Sequence, residues 1–229
     1  MSQDDDNDHY IRDLMLYRSN IKRNSTAAQI LETSYDVSEF PLFEMLKGIT
    51  KPYPYAKKIA LDLKYSGFLK SDRRGMYSMT QKGRWFAICQ RLDGLSFLSL
   101  CLLAEAYHKV KMNHEMFYQI STFRKYYEMD YGDGGSDDGG ICSSTTAIYK
   151  RRNISRSLQL LRERHLVYVV SGEFIKMTGP MIDFLSEYDE DLDSLYIWNA
   201  DTHERCISYT IANKKFNPNI VNLFSKGSN

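Results

Sequence analysis

The chain has 229 residues, 43% of them hydrophobic and 13% aromatic, with a formal net charge of +1. That is material for one large core or two modest ones, and it excludes a chain disordered through most of its length. The longest strongly apolar stretch, LSFLSLCLLAEAY, falls short of the ~20 residues that a bilayer span needs, and the opening residues carry no signal-peptide pattern. The expectation is a cytoplasmic protein with no membrane partner.

The small net charge hides segregation. Between Lys47 and Arg84 stand ten Lys/Arg against two Asp, and from Ser144 to Lys176 seven Lys/Arg against two Glu. The acid lies in DDDND, in EMDYGDGGSDDGG and in DFLSEYDEDLD, so separate basic and acidic surfaces are expected. Cys89, Cys101, Cys142 and Cys206 are scattered without a CxxC pair, the pattern of reduced thiols rather than of a disulfide framework.

In chain order, residues 1–9 are acidic and polar and read as disordered. Helical spacing follows over Tyr10–Tyr17 and Ser25–Thr33, with Ser25 or Asn24 as cap. SEFPLFEMLKGI reads as a short helix with Ser38 as N-cap, Pro41 in the first turn and Gly48 as its stop. KPYP marks a turn before a helix over Tyr53–Ser66. There Ala56, Ile59, Ala60 and Leu63 share one face, Tyr53, Lys57 and Lys64 line another, and Gly67 closes the end. FLKS and GMYSMT alternate as strands around the turn DRRG. QKGRWFAICQRL then resumes a helical period, with Trp85, Ile88, Cys89 and Leu92 inward.

Three helices followed by a two-stranded hairpin, closing on Tyr77-Ser-Met-Thr80-x-Lys-Gly83, resemble the winged helix-turn-helix domains of archaeal and bacterial transcription regulators. A shift of 98 positions, without a gap, lays LDLKYSGFL on QLLRERHLV, Met79-Thr80 on Met177-Thr178 and Phe86 on Phe184. The expected fold is therefore mostly α with small β-hairpins (α+β), two winged-helix domains at residues 10–94 and 95–190 joined by a hydrophobic helix. The second recognition helix is RRNISRSLQLLRERH, with Ile154, Leu158 and Leu161 inward and Arg152, Arg156 and Gln159 on another side. Its wing, VVSGEF, lacks the arginines. A Gly/Asp loop at 130–140 precedes that helix. Residues 191–229 stay unassigned, with a strand pair or a docking arm both open.

Nothing in the sequence points to catalysis. Its five histidines lack triad or metal spacing, and no HExxH, GxSxG, P-loop or GxGxxG pattern is present. DYGDGGSDD lacks the alternating ligand order of a calcium loop. The reading is a non-enzyme without metal or cofactor. The resemblance implies a third helix lying in the major groove of double-stranded DNA and a wing on the backbone. The DNA-binding candidates are then Tyr53, Tyr55, Lys57, Lys58 and Lys64 on the helix and Arg73 and Arg74 on the wing. Lys150, Arg151, Arg152 and Arg156 are the candidates in the second domain. The expected function is a sequence-specific, nucleoid-associated transcriptional regulator. It is expected to act as a homodimer, with the Leu95–Val110 helix and the tail as candidate interfaces; the alternative for that helix is to pack one winged helix on the other. The alternatives are a winged-helix protein-interaction module of a transcription, replication or membrane-remodelling assembly, and a plasmid replication initiator.

Overall fold

A computed structural model describes residues 21–113, 116–121, 123, 143–171 and 173–214, the side chains of 113, 143–152 and 203–214 excepted. A first run of elements comprises α1 (Thr26–Ser34), β1 (Phe40–Pro41), α2 (Leu42–Leu46), α3 (Tyr53–Tyr65), β2 (Leu69–Ser71), β3 (Met76–Met79) and α4 (Gln81–Arg91). A second run comprises α5 (Phe97–Asn113), β4 (Phe117–Gln119), α6 (Ser143–Glu163), β5 (Tyr168–Ser171), β6 (Phe174–Lys176) and α7 (Gly179–Leu185). A 3-10 turn, Ser186–Tyr188, leads into α8 (Asp189–Lys214). The fold is mixed α+β with two antiparallel three-stranded sheets, ordered β1-β3-β2 and β4-β6-β5. Among the described residues no helix is long and apolar enough to cross a membrane.

The two runs keep the register read from the sequence. α3 and α6 end at Tyr65 and Glu163, β3 and β6 begin at Met76 and Phe174, and α4 and α7 begin at Gln81 and Gly179, each pair 98 residues apart. The runs differ before α6. Phe40 pairs with Tyr77, 37 residues on, whereas Tyr118 pairs with Ile175, 57 residues on. The extra twenty fall between the outer strand and α6, and the Gly/Asp loop lies there, outside the described residues.

Local chemistry explains the element ends. The Ser25 hydroxyl caps α1 by accepting from the Ala28 amide at 3.2 Å, while Asn24 before it is left-handed. Ser38 caps nothing, contrary to expectation. Phe40 is buried and its ring stacks on Tyr77 at 6.4 Å, which keeps Phe40–Pro41 extended as a strand, and the helix starts only at Leu42. α3 closes with paired bonds, Phe68 N–H to Leu63 O at 2.9 Å and Gly67 N–H to Lys64 O at 3.0 Å, with Gly67 at φ +76°. α6 closes in the same way, Leu166 to Leu161 and His165 to Arg162, but His165 occupies the left-handed position at φ 57°. A side chain there costs about 1 kcal/mol. His165→Gly should therefore stabilise the fold by roughly 0.5–1 kcal/mol in chemical denaturation, offset in part by the looser unfolded chain.

One apolar cluster runs through both halves. α5 lies at its centre: Phe97, Leu100, Cys101, Leu102, Leu103, Ala104 and Ala106 are fully buried, packed by α4, α6 and α8. Phe86 stacks on Phe97 at 4.9 Å, and Trp198 of α8 reaches Trp85 at 5.5 Å and Phe97 at 5.6 Å. The Leu95–Val110 segment is thus consumed inside the chain, which corrects its assignment as a subunit interface. The tail is corrected as well. Residues 191–214 belong to α8, neither strand pair nor loose arm, and the boundary drawn at 190 falls in its first turn. Among its described side chains, Leu192, Leu195, Asn199 and Thr202, at helical spacing, are fully buried.

Candidate nucleic-acid interface

α3 buries Ala56, Ala60 and Leu63 against the core. The opposite side of a 3.6-residue helix then carries Lys58, Leu61 and Tyr65, flanked by Tyr55 and Asp62 on one edge and by Lys57 and Lys64 on the other. Tyr55, Lys57, Lys58, Asp62 and Tyr65 are all exposed, Tyr65 at 83%. Lys64 is half-buried, its ammonium 6.0 Å above the Tyr77 ring of β3, so this edge of the helix faces the sheet. At the start of α3, Tyr53 meets Phe43 of α2 edge-on at 5.7 Å, and Lys47 lies 5.0 Å over the Phe43 ring.

The hairpin turn is built by Asp72. Its carboxylate accepts from the amides of Arg74 and Met76 at 2.9 and 2.8 Å, and Gly75 takes φ +79° to complete the reversal. The same carboxylate receives Arg74 Nε at 2.7 Å, which holds it below the usual carboxylate range, and Glu39 lies 3.6 Å from the other end of that guanidinium. Arg74 is therefore already neutralised. Arg73, exposed at the tip, makes no ion pair among the described residues. The two arginines that look alike in the sequence are not equivalent. If the surface binds DNA, Arg73→Ala should reduce the slope of log K against log salt by about one unit, and Arg74→Ala by clearly less. Equal slopes for both variants would contradict this geometry.

In the second half, Arg156 is exposed on α6. Lys150, Arg151 and Arg152 belong to the same helix, but their side chains lie outside the described residues. The sheet there presents a mainly apolar face: Phe117, Tyr168, Val170 and Phe174 point away from buried Tyr118 and Ile175, with Lys176 beside them, its ammonium 5.6 Å over the Phe117 ring.

Half of the acid of DFLSEYDEDLD is used within the fold, while Asp183, Glu187 and Glu190 stay exposed. Asp189 accepts from the Tyr107 hydroxyl at 2.8 Å and from Lys111 at 2.5 Å, and Asp193 faces His108 Nδ1 at 2.9 Å. Asp191 is buried and takes both sides of the Arg84 guanidinium, at 2.8 and 2.9 Å. These carboxylates tie α8 to α4 and α5. Arg84 is likewise removed from the basic count that a groove would meet.

Sequence reading missed Tyr65, Phe43 and Asp62 as members of this surface. For Tyr65 and Asp62 the helical phase opposite Ala56 and Ala60 was the available signal. For Phe43 there was none, since an apolar residue in a short helix reads as core. Among the described residues no three His, Cys, Asp or Glu side chains are grouped to hold a metal ion. No family model, curated protein or solved structure matches the chain.

Proposed function

We propose that the chain is a sequence-specific, double-stranded DNA-binding transcriptional regulator built of two winged helix-turn-helix units. The observation that carries this reading is the outward side of α3. It displays Lys57, Lys58, Tyr55 and Tyr65 with their ends in solvent, beside a hairpin whose Asp72-built turn holds Arg73 at its tip. The strand order β1-β3-β2, with α2 and α3 between β1 and β2, supports it, as does the repetition of β4-β6-β5 behind α6. In such an arrangement α3 enters the major groove, Lys58 reaches base edges, and Lys57, Lys64 and Arg73 contact phosphates. Two copies on adjacent half-sites would lengthen the sequence read.

The test is selection of bound duplexes from a random pool by the full chain at two salt concentrations. An enriched motif with steep salt dependence is expected, and the spacing of its half-sites reports the number of copies bound. Binding without a motif, or no binding at low salt, would overturn the reading.

A second reading has one observation in its favour. The exposed apolar face of Phe117, Tyr168, Val170 and Phe174 is of the kind that serves protein association. The second unit would then be an interaction module, and the basic helix of the first would meet an acidic partner. Weak, sequence-independent DNA binding in the same selection favours this reading.

A further inference from the structure

The basic segment from Lys47 to Arg84 contains two carboxylates, Asp62 and Asp72. Asp72 is used by the turn it builds and by Arg74. Asp62 is exposed on α3, and its carboxylate makes no ion pair or hydrogen bond among the described residues. It follows Lys58 by one turn and precedes Tyr65 by three residues, at the edge of the outward side. A carboxylate here works against phosphate binding, and no fold contact explains its presence.

Resting on the DNA-binding reading above, we infer that Asp62 sets the base preference at one position of the bound duplex by accepting a hydrogen bond from a cytosine amino group. In the major groove guanine and thymine present acceptors, which repel a carboxylate. Cytosine and adenine present an amino donor, but adenine places the N7 acceptor beside it, against the second carboxylate oxygen. Cytosine alone offers the donor without that penalty. Lys58 and Asp62 are separated by about 6 Å along the helix axis, close to two base-pair steps. Lys58 donating to guanine and Asp62 accepting from a cytosine nearby would form one local readout.

The experiment is the same selection, run with the full-length wild type, Asp62→Ala and Asp62→Asn, each checked for unchanged circular dichroism. The wild-type motif should contain a cytosine preferred by roughly 5- to 20-fold over other bases. Asp62→Ala should lose the preference at that position alone and bind unrelated duplex more tightly. Asp62→Asn should shift it towards adenine, whose N6 and N7 suit an amide. An unchanged motif in both variants would overturn the role of Asp62 while leaving the regulator reading intact. No motif from any of the three proteins would remove the regulator reading and this inference with it.

Discussion

Gly83→Ala should destabilise the protein by about 3 kcal/mol, one of the largest effects available from a single methyl group. A Cβ at position 83 would stand 2.1 Å from the carbonyl oxygen of Phe68 and 3.1 Å from its carbon. That carbonyl cannot swing aside freely, because it accepts from the Thr80 amide at 3.1 Å. Thr80 itself is committed three ways. Its hydroxyl donates to Gly67 O at 2.6 Å and accepts from the Gly83 amide at 3.1 Å as the N-cap of α4. The Phe68 side chain is pinned edge-on against Phe86 at 4.9 Å. Relief of the clash must therefore move α4 off the start of β2 and loosen the cap, the strand and the core together. In thermal unfolding the loss corresponds to about 6–12 °C for a chain of this size. Gly179→Ala is the control: a Cβ there meets nothing within 4 Å, so the variant should be neutral or slightly stabilising. Equal stabilities for the two variants would mean that α4 and β2 do not approach as described.

This site also explains which parts of the fold were legible. Thr80-x-x-Gly83 is a visible signature because two constraints fall on adjacent turns: a hydroxyl to cap, and a missing side chain where backbone meets backbone. The apolar phase of α3 and α4 was readable for a similar reason, since burial imposes a period of 3.6 on Ala56, Ala60, Leu63, Trp85, Ile88 and Cys89. The second half carries Met181 where the shift of 98 places the partner of Gly83, and Thr178 makes no capping hydrogen bond. Its register survived in the sequence while its local signals did not. α8 was illegible because its buried side is mixed, with Asp191, Asn199 and Thr202 as deeply enclosed as Leu192 and Leu195. Polar residues inside a helix interface break the pattern that reveals one. The same limit applied to the candidate site. Charge along the chain could locate a basic segment, but Arg74 and Arg84 are neutralised by Asp72, Glu39 and Asp191, and those pairings depend on packing.

Asp191→Ala should cost about 3 kcal/mol and release α8 from the first half of the molecule. Asp191 lies in the first turn of α8, buried, and gathers groups from two other elements. The Tyr35 hydroxyl at the end of α1 donates to it at 2.5 Å, Gln81 of α4 at 2.9 Å, and Arg84 of α4 through two nitrogens. The Trp85 indole donates to its backbone oxygen at 3.1 Å. Truncation would leave Arg84 facing a cavity, with its guanidinium held by the Tyr35 ring beneath it and a long bond to the Tyr35 carbonyl at 3.4 Å. The Arg84 side chain is 37% exposed, so water recovers part of the loss and the figure belongs at the low end for a buried pair. Burial by itself would raise the pKa of Asp191, but the hydrogen bonds from Arg84, Tyr35 and Gln81 outweigh it and hold the carboxyl below its ordinary value. The folded state therefore favours the ionised form. Its contribution is complete above the unfolded value near pH 4 and is lost as pH falls through the depressed one. The wild type should lose this increment of stability below about pH 4, while Asp191→Asn, weaker at neutral pH, should lack that part of the decline. Hydrogen exchange separates this loss from general unfolding. Amides of α8 should exchange much faster in Asp191→Ala, with those of α3 and the β1-β3-β2 sheet less affected. Uniform acceleration through the whole chain would mean that the two halves unfold as one body, held together by the aromatic stack of Phe86, Phe97 and Trp198 rather than by this carboxylate.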